Sequence, residues 1–170
     1  MSLAPGQGPI IRHVNGPAPR PPAHETTLRV RYGEVDRMSV VYHPHYLGYF
    51  EQGRTEWLRS RGSTYRELEE SGTLLVVVET GIRFLKPAAY DDVLTVRTVL
   101  ADAHGVRLRF EYEVLRDGVL LATGYTVLAS TDRAGRPRRP PASLQLVLDA
   151  AAAALAGKAE APTDVREARR

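Results

Sequence analysis

Residues 44–62 read PHYLGYFEQGRTEWLRSRG, and this stretch decides the fold. Its main apolar positions recur at spacings of four, three and four residues, which is the period of one helical face: Tyr46, Phe50, Gly53 and Trp57. Pro44 suits the first turn of this helix, and Gly62 lies just past its predicted end. Because a glycine inside a helix costs about 1 kcal/mol relative to alanine, we expect Gly53 to lie close to another backbone.

The sequence on both sides of this helix has the period of β-strands. Residues 26–32 alternate apolar and polar side chains, and after Gly72 the same period returns in four further segments: 75–85, 92–101, 106–115 and 120–130. Shorter helices are predicted at residues 64–71 and 144–155. One strand, one long helix and then four strands is an α+β order. The sequence therefore predicts a five-stranded antiparallel sheet wrapped around one long central helix, which it buries on several sides.

Composition indicates where the folded part of the chain begins and ends. Residues 1–24 hold six of the twelve prolines and almost no apolar periodicity, which predicts a flexible leader. Residues 156–170 are predicted to be a disordered tail, so the folded domain is expected to span residues 25–155. A single domain of this size can bury a sizeable core.

Composition also narrows the classes of partner. The formal net charge of +3 comes from scattered arginines, whereas nucleic-acid binders concentrate positive charge on one face. The chain has no cysteine, which excludes a disulfide framework and a thiol nucleophile. The sequence shows neither a membrane-spanning apolar run nor a secretory signal. We therefore expect a cytoplasmic protein that binds no nucleic acid.

The loop before the long helix, residues 31–43, concentrates carboxylates, histidine and tyrosines. The first N–H groups of a helix are unpaired and carry partial positive charge, so they can polarise a carbonyl and stabilise an oxyanion. A carboxylate a few residues upstream, such as Asp36, can activate water or attack directly. Acyl transfer needs both parts, and this loop can supply both.

A structural role for Asp36 is the alternative, because an aspartate before a helix is often its N-cap. Asp36 precedes Pro44 by eight residues, which is too far to cap that helix. The residues alone leave both interpretations open. No His-x-x-x-His or comparable ligand spacing is present, so we predict no metal and no other cofactor.

Two stretches carry a family resemblance. Residues 36–47 read DRMSVVYHPHYL, in which an aspartate stands seven residues before the histidine of a Val-Tyr-His run. Residues 81–94 read GIRFLKPAAYDDVL. Both resemble signatures of the 4-hydroxybenzoyl-CoA thioesterase family, and within it the acyl-CoA thioesterases associated with the Tol–Pal system. The similarity covers residues 26–130.

The resemblance implies a hotdog fold and a thioester site at a subunit interface of a dimer or a tetramer of dimers. The family's active-site aspartate corresponds to Asp36 and its loop histidine to His43, with the backbone amides of residues 41–43 holding the thioester carbonyl. The implied activity is hydrolysis of acyl-CoA to a free acid and CoA, with Asp36 as general base or nucleophile. The residues expected to bind substrate are Tyr32, Ser39, Val40, Val41, Tyr42 and Lys86.

The sequence departs from the family pattern at two positions near the expected site. The family commonly has glycine where this chain has Ser39, and often aspartate where it has Glu34. Because Ser39 adds a side chain near the thioester, we expect the acyl preference to differ rather than the reaction.

Three further expectations can be checked against a structure. Glu51 is expected to form an ion pair with Arg54, three residues on. His45 is expected to face a different side from His43, at the surface or an interface. An exposed sheet edge that pairs with a second copy would be a natural basis for a homo-oligomer.

Two other functions are compatible with the sequence. A hotdog dehydratase or hydratase would act on acyl thioesters with a histidine-centred acid/base pair. A non-catalytic acyl-CoA-binding protein could use the same fold, because a fold does not determine a function.

Overall fold

The computed structural model describes residues 23–156, with side chains up to residue 153. In chain order its elements are β1 His24–Arg29, a 3-10 turn Tyr32–Glu34, α1 His45–Arg59, α2 Tyr65–Glu70, β2 Leu74–Phe84, β3 Val93–His104, β4 Arg107–Arg116, β5 Val119–Thr131 and α3 Ala142–Ala156. The predicted leader and tail, residues 1–24 and 156–170, lie outside the described residues except at their inner ends.

The strands form one antiparallel sheet in the order β1-β3-β4-β5-β2, so the predicted α+β architecture is confirmed for the described part of the chain. The predicted bounds differ most at two strands: β1 spans His24–Arg29 instead of residues 26–32, and β3 continues to His104 instead of ending at residue 101. A register shift between Leu100 and Asp102 lets β3 go on pairing with β4. The chain then turns at Gly105, whose φ of +60° suits a residue without a Cβ.

Helix α1 packs on the sheet through the apolar face that the sequence predicts. Phe50 stacks on Tyr112 of β4 with ring centroids 4.3 Å apart, and Trp57 meets Phe110 edge-on at 5.1 Å. The opposite face of α1 is exposed and includes Leu47, which is 41% exposed. The predicted five-stranded sheet around one long helix is thus confirmed, and in a single protomer the helix face opposite the sheet stays exposed.

Gly53 marks the point where α1 approaches the sheet most closely. A Cβ added there would lie 2.5 Å from Thr98 Oγ1 and 2.9 Å from Val96 Cγ1, both on β3. Atoms of a protein core do not come this close, so only glycine fits. The prediction of a close approach holds, but the neighbours are strand side chains rather than another backbone.

The two ends of the fold differ in how well they are covered. Leu144 and Leu148 of α3 are buried in the same hydrophobic core as α1. Strand β2, in contrast, is an edge strand that pairs only with β5 among the described residues. Its residues Val76, Val77 and Val78 are 46%, 45% and 51% exposed. An exposed edge with apolar side chains is a surface suited to pairing with another chain.

Replacing Gly53 with alanine should destabilise the protein, because the added methyl group overlaps Thr98 and Val96. We expect the free energy of unfolding in urea to fall by about 1–2 kcal/mol, the overpacking cost less the gain in helix propensity. Gly48 is the matched control, since it lies in the same helix with nothing within 4 Å of its added Cβ. Gly48→Ala should raise stability by up to about 1 kcal/mol, and equal effects at both positions would contradict the close approach.

Candidate functional site

Residues 35–41 form a small hairpin in which Asp36 stands just before the tip. Val35 bridges Val41, and the Asp36 N–H donates to the Val40 carbonyl at 2.9 Å. The Ser39 N–H donates back to the Asp36 carbonyl at 2.9 Å, and Ser39 itself has a φ of +62°. This is a three-residue hairpin loop, in which a type I turn is followed by one residue in the left-handed region.

The segment that follows β2 holds this hairpin in place. Val40 bridges Ala89, and the Val41 N–H donates to the Ala88 carbonyl at 2.8 Å. Asp92 fixes this segment in turn, because its carboxylate accepts the Ala89 N–H at 2.7 Å and pairs with Arg116 of β4. Burial alone would raise the pKa of Asp92, but these two donors hold it below its usual value. The hairpin is thus tied to the sheet.

The two carboxylates of the loop have different surroundings. Glu34 accepts the Tyr49 hydroxyl and the Arg31 N–H, each at 2.8 Å, and so fastens the loop to α1. Burial, with the hydrogen bond to Glu34 and its negative charge, raises the pKa of Tyr49 above its ordinary value. Asp36 accepts the Met38 N–H at 2.7 Å through Oδ1, and its Oδ2 has no hydrogen-bond partner within residues 23–156. Each carboxylate keeps one oxygen without a partner within residues 23–156, because both donors to Glu34 bind its Oε2. The difference is that Glu34 fastens the loop to α1, whereas Asp36 bonds to no other side chain in that range.

Asp36 lines an open groove of about 810 Å³, which we call the Asp36 groove. Its polar and aromatic lining side chains are Tyr32, Asp36, Arg37, Ser39, Tyr42, His45 and Tyr90. The structure thus brings together four of the residues proposed from sequence: Asp36, Tyr32, Ser39 and Tyr42.

Four other residues proposed from sequence lie outside this lining. Val40 and Val41 act through their backbones, by bridging to the segment after β2. Lys86 is exposed beyond the end of β2. His43 is also exposed, with its ring edge-on to Tyr42 at 4.7 Å.

The backbone amides expected to hold a carbonyl are mostly occupied. The Val41 N–H donates to Ala88, and the Tyr42 N–H donates to the Glu34 carbonyl at 2.9 Å. In the described part of the chain, the His43 N–H is the member of residues 41–43 without an acceptor. Of the three backbone N–H groups expected to hold the thioester carbonyl, the structure therefore leaves only that of His43 free within the described residues.

Three polar or aromatic lining residues were not among those proposed from sequence: Arg37, His45 and Tyr90. His45 opens α1, is half-buried and lines the Asp36 groove, although the sequence placed it at the surface or an interface. Tyr90 meets Tyr32 edge-on at 5.5 Å. Both tyrosines and His45 also line a second groove of about 670 Å³, which contains Glu34 and Tyr49. Tyr90 lies within the second family signature, residues 81–94, and this position is the feature of the sequence from which its place near the site could be predicted.

The predicted ion pair between Glu51 and Arg54 is wrong. Glu51 is exposed, whereas Arg54 is buried and donates to Tyr65 Oη at 2.6 Å and Tyr112 Oη at 3.1 Å. The two side chains cannot pair because Arg54 lies on the sheet-facing side of α1 and Glu51 on the opposite side.

Neither a metal site nor a membrane span is found in the described residues. Residues 23–156 contain no group of three or more His, Asp or Glu side chains that could hold a metal ion. None of the helices in that range combines the length and the apolar character needed to cross a membrane.

Comparison with known proteins identifies the family. The sequence profile of the thioesterase-like superfamily matches residues 30–168, so the chain belongs to that superfamily. Its five-stranded sheet with α1 against one face is the hotdog fold, and its enzyme class is thioester hydrolase. The narrower resemblance, to the 4-hydroxybenzoyl-CoA thioesterase family, stays a prediction.

Individual relatives agree with this assignment. The acyl-CoA thioesterase YbgC of Haemophilus influenzae is 36% identical over 106 residues, which cover 62% of this chain and 78% of that protein. The putative acyl-CoA thioesterase YneP of Bacillus subtilis is 36% identical over 87 residues, and the match spans 51% of this chain and 63% of YneP. The crystal structure of a probable thioesterase from Bartonella henselae is 34% identical, with a TM-score of 0.68, covering 71% of this chain and 100% of that one.

Ser39→Gly should stabilise the protein. Ser39 adopts a φ of +62°, a conformation that costs a residue with a Cβ about 1–2 kcal/mol and glycine little. After allowance for the greater freedom of glycine in the unfolded chain, we expect the free energy of unfolding in urea to rise by about 0.5–1 kcal/mol. Ser39→Ala retains the Cβ and should bring no such gain. Equal stabilities of the glycine and alanine variants would contradict backbone strain at the hairpin tip.

Proposed function

We propose that this chain hydrolyses acyl-CoA thioesters to a free acid and CoA, with Asp36 as the reacting carboxylate. The observation that carries the proposal is the position of Asp36: it lines the Asp36 groove and within residues 23–156 accepts only the Met38 N–H. Glu34, in contrast, accepts both Tyr49 and Arg31 through Oε2 and fastens the loop to α1. The names of the relatives YbgC and YneP support acyl-CoA as the substrate.

In the proposed reaction a water molecule attacks the thioester carbonyl carbon while Asp36 takes one of its protons. The carbonyl electron pair moves onto oxygen, and the His43 N–H stabilises the resulting oxyanion together with the positive end of α1. When the carbonyl re-forms, the carbon–sulfur bond breaks and the thiolate receives the proton from Asp36. Water is consumed, and the products are the acid and the CoA thiol. Direct attack by Asp36, through an anhydride that water then hydrolyses, is the alternative route from the same position.

The substrate contacts follow from the shape of the groove. Tyr32, Ser39 and Tyr42 line it and are proposed to contact the bound thioester. Lys86 is exposed outside the groove and is proposed to meet a CoA phosphate as a point charge. The assignment to the 4-hydroxybenzoyl-CoA branch and the cytoplasmic location belong to this proposal as well.

We also propose that the active form is a homo-oligomer built on the edge of β2. Two features support this: the outer side of β2 is unpaired within the described residues, and Val76, Val77 and Val78 are exposed there. Pairing two β2 edges would satisfy the free backbone groups and cover apolar surface in one step.

Charges on the β2 edge should disrupt this assembly. The double variant Val76→Lys, Val78→Lys places like charges in the proposed interface. In light scattering after gel filtration we expect the wild type to have at least the mass of a dimer and the variant that of a monomer. Leu146→Lys on α3, where the leucine is 71% exposed, is the matched control and should leave the mass unchanged. A monomeric wild type, or an oligomeric double variant, would contradict the edge interface.

Asp36→Asn should abolish most thiol release. Asparagine keeps the oxygen that accepts the Met38 N–H, so the turn is retained while the basic carboxylate is lost. We expect kcat for acyl-CoA hydrolysis to fall by about 10²–10⁴-fold, measured by thiol release with short, long and aromatic acyl groups. Asp117→Asn is the control, because Asp117 is exposed in the turn between β4 and β5 and asparagine tolerates its φ of +50°.

The same assay separates the other functions. Full activity of Asp36→Asn would reject Asp36 as the reacting group. A wild type that binds acyl-CoA without releasing thiol would indicate a binding protein, and hydration of an enoyl-CoA without thiol release would indicate a hydratase.

A further inference from the structure

The polar side chains of the Asp36 groove differ in how far they are shielded from water. Of those that line it in the described structure, Tyr32, Arg37, Ser39, Tyr42 and Tyr90 are exposed. Only Asp36 and His45 are partly buried. Because a hydrogen bond or charge acts more strongly where water is excluded, these two are the side chains best placed to act on a bound substrate.

The backbone of residues 41–43 supplies one free hydrogen-bond donor, and an oxyanion site needs a second. Oxyanion sites are built from backbone N–H groups or from side-chain donors that include histidine. With Val41 and Tyr42 already donating within the protein, His43 supplies the one free N–H of residues 41–43 in the described chain. A single donor leaves the developing charge incompletely stabilised, so a side-chain donor in the groove would complete the site.

His45 has the position that such a donor requires. It is the first residue of α1, and its own N–H donates to the Tyr42 carbonyl at 3.0 Å, which fixes its backbone. Its ring lies edge-on to Tyr42, with centroids 6.2 Å apart, in the wall shared by the two grooves. The His43 ring, only two residues away, is exposed and outside the lining of both grooves.

We propose that His45 is the histidine whose side chain contacts the substrate, and that its imidazole N–H donates to the thioester oxygen. This rests on the thioesterase function proposed above. As water adds, the carbonyl electron pair moves to oxygen and the hydrogen bond from His45 shortens, without proton transfer. When the carbon–sulfur bond breaks, the pair returns to the carbonyl. His43 contributes through its backbone N–H alone.

The test compares three histidines in one assay. His45→Ala, His45→Gln, His43→Ala and His104→Ala are assayed for thiol release from one acyl-CoA that the wild type hydrolyses, after thermal unfolding shows each to be folded. His104 is exposed at the end of β3 and serves as the control. We expect His45→Ala to lower kcat by about 10²-fold, the effect of removing one oxyanion donor, with KM within a fewfold.

Two of these variants distinguish a hydrogen-bonding role of His45 from a purely structural one. His45→Gln retains an N–H donor, so its kcat should be at least tenfold above that of His45→Ala. His43→Ala retains the backbone N–H and should lose less than His45→Ala.

The proposal is overturned if His45→Ala keeps kcat within about threefold of the wild type or changes KM alone, since a contact used only in the transition state must lower kcat. It is also overturned if His43→Ala loses more, or if glutamine brings no recovery. A failure of the thioesterase function itself would look different, because then the wild type releases no thiol or Asp36→Asn remains fully active.

Discussion

The close contact between α1 and β3 at Gly53 determines where everything at the start of the helix can lie. With Thr98 and Val96 at positions that no Cβ could share, the helix axis cannot move away from or along the sheet without opening the core. Phe50 and Trp57, one turn to either side, are then seated on β4. Because the helix is fixed in this way, its first residue and the loop before it are fixed as well.

The loop is positioned by interactions that reach it from the helix and from the sheet. Tyr49 of α1 holds Glu34, while Ala88 and Ala89 hold Val41 and Val40. Two of these contacts engage polar groups that sequence alone would have left available for catalysis, namely one oxygen of Glu34 and the Val41 N–H. Asp36, beside the hairpin tip, bonds only to the Met38 N–H within residues 23–156 and lines the Asp36 groove. A loop on a rigid scaffold can in this way present one side chain while its neighbours serve as supports.

The difference between what the sequence predicts and what it misses has a physical basis. Apolar alternation predicts the strands because one face of the sheet is buried under α1, but a bulge such as that after Leu100 leaves no trace in the pattern. The family resemblance places Asp36 in a loop before the helix. It does not say which of His43 and His45 enters the groove, because residues on either side of a helix start point in different directions. Nor can it show that the N–H groups of Val41 and Tyr42 already donate to carbonyls elsewhere in the chain, those of Ala88 and Glu34.

Ser39 connects the stability of the site to its specificity. A type I turn followed by a left-handed residue is what lets the hairpin reverse in three residues and leave Asp36 facing the groove. Glycine would meet that demand at the lowest cost, so a serine there keeps strain in the native state. Ser39 lies in the same lining as Asp36, where the acyl thioester that we propose to bind there would meet it. If the proposed function holds, the strain is thus located where a side chain would distinguish one acyl group from another without taking part in the reaction.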